Sequence, residues 1–382
     1  MLKEELVKQI MDSKSKNILL EFATGTGKTK IALDKCHQLW NKDKSILIVV
    51  PRNVLKENWE KEISLWGYAT MLSNIEIITY TTFIKGNHTG DIIIFDEAHH
   101  LSEKCLDVAY VLRYENAILL SASVSRNKRA ELCEVFHPEI FFLGLKKAIS
   151  NNILPDPKVY LIEMHLDNKV KSELIVKNAS KSFTIKLDFK DRFKKYPNNR
   201  VEISCTQKEY YSYLESLTQY YSQFKYTQYG LTKYLRTAGD RTKYLSHIKE
   251  PYILHILDVL KEERTLTFCK DIAQTEILGK NAVNSKNKNS EEILNKFNNG
   301  EINHITTCNM LDEGCNLTDC KYGIYAFLNS SEKMIIQKTG RLLRHSSPVL
   351  IIPYFAHTRE EELVQKMCEN YNNIIKLKAN DF

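Results

Sequence analysis

The feature that most constrains this chain is an apolar segment that runs through a loop of small residues into a helix. Residues 17–22 read NILLEF, residues 23–29 read ATGTGKT, and residues 28–41 have helical spacing. Glycines let the backbone turn several N–H groups towards a phosphate, and the helix N-terminus adds positive potential. The pattern predicts a phosphate-binding loop, with Lys28 on the β- and γ-phosphates and the Thr29 hydroxyl on Mg²⁺. Phe22 replaces the first glycine of the G-x-x-x-x-G-K-[ST] pattern.

Short apolar runs alternate with helical stretches along most of the chain, which is typical of a parallel sheet covered by helices. The runs of the first half lie at residues 17–23, 45–50, 75–80, 91–96 and 117–122. A second series lies at residues 159–164, 265–270, 304–308, 322–328 and 349–355. The connector 150–158 carries Pro155 and Pro157 and predicts a hinge. We therefore predict two α/β domains, at residues 1–150 and 151–382.

Two adjacent carboxylates form the second chemical signal. Residues 91–100 read DIIIFDEAHH, so Asp96 and Glu97 follow directly on an apolar strand. Ligands bind at the carboxyl ends of the strands in an open α/β sheet. Asp96 is suited to hold Mg²⁺ through water, and Glu97 to act as general base on the water that attacks the γ-phosphate. An isolated acidic pair after a strand is more often a turn, but beside a phosphate loop it indicates nucleoside-triphosphate hydrolysis.

Composition excludes several other classes of protein. The chain has 382 residues, of which 43% are hydrophobic and 26% charged, as in ordinary globular proteins. No apolar run approaches the roughly 20 residues that span a bilayer, and the charged N-terminus has no signal core. Nine scattered cysteines without a C-x-x-C pair argue against a disulfide framework or a zinc site. We expect a soluble protein that lies in the cytoplasm of a bacterium or of a phage-infected host cell. We expect it to be monomeric and not to act at a membrane.

The positive charge is concentrated in one region. Of a net charge of +7, residues 166–250 alone contribute 17 basic against 9 acidic side chains, together with 10 of the 20 tyrosines. Basic residues interleaved with aromatics are typical of surfaces that bind single-stranded nucleic acid. A solvated face over a tyrosine-rich core is the plainer alternative. We treat residues 166–240 as a basic, Tyr-rich insertion in the second domain.

Eight segments, taken in order, resemble the motifs of the superfamily 2 helicases and translocases of the DEAH/DExH type. ATGTGKT at 23–29 resembles motif I, VVPRNVLKENW at 49–59 motif Ia, and ITYTTF at 78–83 the next strand-end motif. FDEAHH at 95–100 is similar to motif II and SAS at 121–123 to motif III. TLTFCKD at 265–271, TTCNMLDEGCNL at 306–317 and QKTGRLLR at 337–344 resemble motifs IV, V and VI. The resemblance implies two tandem RecA-like domains with ATP and Mg²⁺ between them.

The resemblance also implies a role for each motif residue. Catalysis would rest on Lys28, Asp96, Glu97, Gln337, Arg341 and Arg344. The nucleotide would be bound by Gln9, Thr24, Gly25, Thr26, Gly27, Lys28, Thr29, Asp312 and Gly314, with Thr29 and Asp96 on Mg²⁺. Nucleic acid would meet Pro51, Arg52, Thr81, Thr82, Cys269, Lys270, Thr307 and Asn309. Hydrolysis would be coupled to movement by His99, Ser121 and Ser123.

Two of these assignments have their own physical arguments. Arg341 and Arg344 lie three residues apart, so on a helix they project together and could reach a γ-phosphate held by the other domain. Gln9 resembles the adenine-reading glutamine of the family but lacks its usual aromatic and arginine neighbours. A solvated helix residue is therefore the alternative at that position.

The function predicted from these features is an ATP-dependent helicase or translocase that acts on single-stranded or branched DNA. An RNA-dependent ATPase is the alternative within the same class. A nucleic-acid clamp that binds ATP with little strand separation is an alternative from another class. A P-loop kinase of a small metabolite is a further alternative, but it would not explain the segments that resemble motifs IV to VI. The Asn-, Lys- and Ile-rich composition is typical of an AT-rich genome such as that of a phage. The resemblance to the DExH type of motif II indicates a role in DNA repair, recombination or replication.

Overall fold

The computed structural model describes residues 2–177, 194–196, 200–308, 317–328, 340, 342 and 345–381. Two separate sheets of parallel strands organise these residues, one from each half of the chain. The predicted α/β architecture with two parallel sheets is confirmed. Among the described residues, helices of membrane-spanning length and apolarity are absent.

The first sheet has six parallel strands in the order β3-β2-β4-β5-β1-β6. Its strands are β1 (Asn17–Phe22), β2 (Ile46–Val50), β3 (Ile75–Thr79), β4 (Ile92–Phe95), β5 (Asn116–Ser121) and β6 (Glu139–Leu143). The inner strands β1, β2 and β4 are buried along their whole length, which explains their uninterrupted apolar sequences. The edge strand β6 was not predicted, because only Phe141 and Leu143 in it are buried.

Helices connect the strands of the first sheet. They are α1 (Leu2–Asp12), α2 (Lys28–Leu39), α3 (Val54–Leu65), α4 (Tyr80–Phe83), α5 (Glu103–Val111), α6 (Arg126–Phe136) and α7 (Leu145–Ser150). The helix α3 buries Leu55, Trp59 and Ile63, which recur every four residues and therefore lie on one face. That face packs α3 against the sheet and brings Trp59 to the end of β4.

The second sheet has seven parallel strands in the order β12-β13-β11-β14-β15-β7-β16. They are β7 (Lys158–Met164), β11 (Thr265–Phe268), β12 (Ala282–Val283), β13 (His304–Thr307), β14 (Tyr322–Tyr325), β15 (Val349–Phe355) and β16 (Ile374–Lys378). All five predicted strands are present. The two that were not predicted lie at the edges, where β12 is two residues long and β16 is half exposed.

The chain leaves the second sheet after β7 and returns to it at β11. Between them, the described residues form an antiparallel sheet of β8 (Ser172–Lys177), β9 (Lys194–Tyr196) and β10 (Arg200–Cys205) and three helices. The helices are α8 (Gln207–Ser222), α9 (Gln228–His247) and α10 (Glu250–Val259). Helices α8 and α9 pack against each other, with Tyr211 and Tyr221 buried and Tyr226 and Tyr229 exposed. The tyrosines thus divide between the core and the surface.

A buried ion pair attaches this helical segment to the second sheet. Lys249, just before α10, donates to the Glu360 carboxylate at 2.5 Å, and both side chains are almost fully buried. The other Glu360 oxygen accepts the main-chain N–H of Phe355 at the end of β15. Removing one partner of such a pair costs about 3–5 kcal/mol because the other charge is left buried without compensation, so both residues are needed where α10 meets the sheet. The other helices in the described part of the chain are α11 (Ile272–Leu278), α12 (Ser290–Asn298) and α13 (Arg359–Cys368).

Candidate functional site

The glycine-rich loop between β1 and α2 has the geometry of a phosphate cradle. Gly25 and Gly27 both adopt left-handed backbone angles, with φ of +89° and +90°, which favour glycine. The Thr26 hydroxyl donates to the main-chain oxygen of Ala23 at 2.7 Å and closes the turn. The Lys28 ammonium donates to the main-chain oxygen of Phe22 at 2.8 Å, so the positive charge lies at the loop itself.

Two carboxylates follow β4 at the same sheet edge. The Trp59 indole N–H donates to Asp96 Oδ2 at 2.9 Å, and the Tyr80 hydroxyl donates to the main-chain oxygen of Asp96. Burial and the adjacent Glu97 carboxylate raise the pKa of Asp96 to about 6, while Trp59 and Lys28 act in the opposite direction. A carboxylate whose charge is destabilised in this way has a strong electrostatic reason to take up a cation.

The backbone at Glu97 is strained. This residue has φ of +51° and ψ of +54°, a left-handed conformation that side chains other than glycine rarely adopt. It directly precedes the short 3₁₀ helix Ala98–His100. Strain of this kind costs on the order of 1–3 kcal/mol and is concentrated at functional sites, where it fixes the direction of a side chain.

A cavity of about 320 Å³ joins the loop and the carboxylates. Lys28, Thr29, Asp96 and Glu97 all line it, together with residues of α3 that include Trp59. The hydroxyl of Thr29 and the carboxylate of Asp96 are the oxygen ligands that Mg²⁺ prefers. Lys28 and the N-terminus of α2 supply positive charge for a phosphate chain. The donor set therefore fits a magnesium nucleoside triphosphate.

His99 lies between the acidic pair and the end of β5, within ion-pair distance of Glu97 and hydrogen-bonded to Ser121. His99 Nδ1 lies 3.3 Å from Glu97 Oε2 and 2.9 Å from the Ser121 hydroxyl. The Ser121 hydroxyl donates to the main-chain oxygen of Ser123 at 2.9 Å, so it accepts from His99, whose Nδ1 carries the proton. A change at Glu97 can therefore pass through His99 to the segment 121–123.

A second buried carboxylate supports the same segment from the phosphate-loop strand. Glu21 on β1 is 3% exposed, and its Oε1 accepts the main-chain N–H of Val124 at 3.0 Å. Its other oxygen pairs with Arg129 on α6. The strand that leads into the loop thus also holds the residue that follows Ser123. Sequence reasoning did not identify Glu21.

Among the described residues of the second half of the chain, Leu154 and Gly340 contact the phosphate loop. Gly340 packs so closely on Thr24 that a Cβ at position 340 would lie 2.4 Å from the Thr24 Cβ. Gly25 in turn lies against Leu154 and the main-chain oxygen of Gly340. The Thr24 hydroxyl is buried and finds no hydrogen-bond partner among the described residues. Gly340 therefore lies directly against the phosphate loop at Thr24 and Gly25.

A separate groove of about 580 Å³ is lined by residues of both halves of the chain. Arg52 comes from the turn before α3, Lys243 from α9, and Lys270 and Asp271 from the end of β11. Lys243 pairs with Asp271 at 2.8 Å, and the Lys270 ammonium lies 5.4 Å from the centre of the Phe327 ring. Burial lowers the pKa of Lys270. Three cations around one groove suit a polyanion.

Comparisons with known proteins agree with both halves of this arrangement. Residues 2–85 match the family described as "Type III restriction enzyme, res subunit", and residues 248–346 match "Helicase conserved C-terminal domain". The DNA 3'-5' translocase XPB2 of Sulfurisphaera tokodaii is 24% identical over 357 residues, which cover 87% of this chain and 75% of that protein. These matches support the resemblance of the chain to the helicases and translocases of superfamily 2. Enzymes of this family hydrolyse ATP.

Solved helicase structures share the fold. One is S. cerevisiae Dbp5 bound to RNA and ADP BeF3, with a TM-score of 0.63 and 12% identity, covering 100% of this chain and 90% of that chain. Another is the Pyrococcus furiosus Hef helicase domain, with a TM-score of 0.53 and 15% identity, covering 96% of this chain and 97% of that chain. At these identities the comparison establishes the tandem RecA-like architecture.

The motif segments of the first sheet occupy four places. Motifs I and II line the cavity, and motif III joins them through His99. Arg52 of motif Ia is exposed and lines the groove, with Pro51 half-buried beside it. Thr81 is exposed and Thr82 half-buried at the start of α4. Gln9 is exposed on α1 and is absent from the lining of the cavity.

The described motif residues of the second sheet are less accessible. Lys270 lines the groove, but Cys269 is fully buried, so a contact from position 269 would have to come from its main chain. Thr307 is 2% exposed, and its buried hydroxyl lacks a hydrogen-bond partner in the described part of the chain. Six predicted residues lie outside the described residues: Asn309, Asp312, Gly314, Gln337, Arg341 and Arg344.

Proposed function

We propose that this protein is an ATP-dependent translocase or helicase that acts on DNA. The observation that carries the proposal is the position of two sites around one helix. The cavity for a magnesium nucleotide and the groove with three cations both receive residues from α3 or the turn before it. The name of the S. tokodaii relative supports DNA as the track.

We assign the chemistry of hydrolysis to the cavity residues. Lys28 would bind the β- and γ-phosphates, and Thr29 and Asp96 would hold Mg²⁺, whose charge would offset that of the transferred phosphoryl group. Glu97, held by its strained backbone, accepts the proton of the attacking water. Arg341 and Arg344 supply positive charge from the second domain, as the family resemblance implies. The contact of Gly340 with Thr24 supports a position of motif VI against the phosphate loop.

We place the boundary between the two domains at residue 150, just after α7, and propose that hydrolysis alternately closes and opens the cleft between them. Arg52 and Lys270 would then hold phosphates of one strand from opposite sides of the groove. These contacts are to the backbone of the nucleic acid, so we expect little sequence specificity. His99, Ser121 and Ser123 would transmit the state of Glu97 to the cleft.

RNA is the second candidate track, and a specific observation favours it. The Dbp5 structures with the same fold were solved with RNA and ADP BeF3. The three cations of the groove suit the phosphates of either nucleic acid.

The test is steady-state ATP hydrolysis with no nucleic acid, single-stranded DNA, duplex DNA and single-stranded RNA. Strong stimulation by DNA is the expected result. Stimulation by RNA alone would move the protein to the RNA-dependent ATPases. Hydrolysis that is indifferent to every nucleic acid would contradict a motor function.

A further inference from the structure

Trp59 occupies an unusual place between the two sites. It lies on α3, is 2% exposed and lines the nucleotide cavity. Its indole N–H donates to Asp96 Oδ2 at 2.9 Å, across 37 residues of sequence. An indole nitrogen can only donate, so this bond favours the ionised carboxylate and holds one of its two oxygens in a fixed direction. The other oxygen is left for a metal-bound water.

The same helix begins at the groove. The turn that carries Arg52 is hydrogen-bonded onto the first turn of α3, because Leu55 donates its main-chain N–H to the oxygen of Arg52 at 3.1 Å. Trp59 lies five residues after Val54, the first residue of α3, which is about 8 Å along the helix axis. The helix is therefore joined at its first turn to a residue of the groove, and it carries a donor to Asp96 near its middle.

We propose that Trp59 is a positioning residue that transmits the occupancy of the groove at Arg52 to the Asp96 carboxylate. When a phosphate draws Arg52 towards the groove, α3 moves with it, and the Trp59 indole N–H re-aims Asp96. The magnesium nucleotide is then bound more tightly. This inference rests on the proposed function, since it assumes a nucleic acid at Arg52 and a magnesium nucleotide at Asp96.

The direct test replaces Trp59 by phenylalanine, which keeps an aromatic ring in the core but removes the donor. Trp40→Phe is the matched control, because the Trp40 indole N–H donates to the main-chain oxygen of Lys44, at the far end of α2. The readout is equilibrium binding of a fluorescent, non-hydrolysable ATP analogue over a Mg²⁺ titration, with and without a single-stranded DNA oligonucleotide. Thermal unfolding of each variant reports stability separately.

The expected result has two parts. Trp59→Phe should raise the half-saturating Mg²⁺ concentration roughly tenfold, as the loss of a hydrogen bond to a charged group implies. It should also abolish the tightening of nucleotide binding by DNA, whereas Trp40→Phe should keep both. Arg52→Gln should lose the same tightening, and the double variant Arg52→Gln/Trp59→Phe should lose no more than either single variant.

The outcomes separate the two proposals. If the wild-type protein does not bind DNA, the assignment of the groove to nucleic acid fails and this inference fails with it. If DNA binds but does not tighten nucleotide binding, only this inference fails. If DNA tightens binding equally in wild type and Trp59→Phe, only the role of Trp59 is overturned. A purely structural Trp59 would lower the melting temperature without changing the Mg²⁺ dependence.

A second measurement applies if Trp59→Phe does not fold. The chain has three tryptophans, so the variant Trp40→Phe/Trp66→Phe leaves Trp59 as the sole tryptophan. Its emission should change when DNA is added to the complex with Mg²⁺ and the ATP analogue. The same addition should have no effect once Arg52→Gln is introduced. Emission that is insensitive to DNA would overturn the inference.

Discussion

The nucleotide cavity and the basic groove hold their polar groups in different ways. In the cavity, the Asp96 carboxylate is fixed by a side-chain hydrogen bond from Trp59, and His99, which follows the acidic pair, is hydrogen-bonded to Ser121. In the groove, the exposed Arg52 and Lys243 come from elements of different halves of the chain. Phosphoryl transfer needs groups placed to a fraction of an ångström, whereas a polyanion responds to summed charge. Substitutions should therefore be severe in the cavity and graded in the groove.

The largest effect is expected for Glu97→Gln, which removes the proposed general base. Loss of a general base typically costs 10²–10⁴-fold in rate, so we expect ATP hydrolysis to fall by about 10³-fold. DNA binding should stay intact. Glu103→Gln, at the exposed start of α5, is the matched control and should behave as wild type. Hydrolysis within tenfold of wild type in Glu97→Gln, measured by phosphate release, would remove Glu97 from the mechanism.

We expect the next largest effect for Gly340→Ala, which tests how closely the second half of the chain packs against the cavity. The added methyl would lie 2.4 Å from Thr24 Cβ, so the phosphate loop or the covering segment must move. A displacement of about 1 Å can cost on the order of 10²-fold in rate. Gly239→Ala on α9 has no atom within 4 Å of the new methyl and is the control. Equal DNA-stimulated ATPase rates in both variants would contradict a tight contact.

Ser121→Ala separates hydrolysis from movement. The substitution removes the hydroxyl that accepts from His99, while the cavity residues keep their own partners. We expect basal hydrolysis to change less than threefold and strand movement per ATP to fall roughly tenfold, the effect of one hydrogen bond. Parallel measurements of phosphate release and translocation give the ratio. Ser73→Ala, at an exposed position before β3, should leave that ratio unchanged, and an equal ratio in both variants would remove Ser121 from the coupling.

The smallest effects are expected in the groove. Arg52→Gln and Lys270→Gln should each weaken DNA binding several-fold and lower the dependence of log K on log salt by about 0.7. Binding isotherms at a series of salt concentrations measure this slope. Lys61→Gln on the exposed side of α3 is the control. A collapse of binding after one groove substitution, or an unchanged slope, would show that the groove does not act by summed charge.

The interior of the fold was predictable from the sequence because parallel strands buried on both faces are continuous apolar runs. The strands β6, β12 and β16 were not predictable from the sequence, since each is short or exposed on one side. Lys28, Thr29, Asp96 and Glu97 were predictable because strand ends of one sheet edge must converge. The roles of Trp59 and Glu21 were not, because their partners lie 37 and 103 residues away in sequence.

Cys269 shows the limit of motif reasoning. Its motif IV segment predicts a residue at the nucleic acid, but its side chain is fully buried, and the neighbouring Lys270 lines the groove instead. A motif predicts that a segment lies at the end of a strand, whereas the direction of each side chain depends on the pleat of the strand and on packing. The same reason explains why Lys243 of α9, outside every motif, lines the groove unpredicted.

The central claim is that ATP hydrolysis in the cavity drives movement along a strand held in the groove. The most direct test is ATP-dependent displacement of streptavidin from the end of biotinylated single-stranded DNA. We predict that wild type displaces it only with Mg²⁺ and ATP, and that Glu97→Gln binds the same DNA without displacing it. Displacement by Glu97→Gln, or none by a wild-type protein whose ATPase is stimulated by the same DNA, would contradict the account.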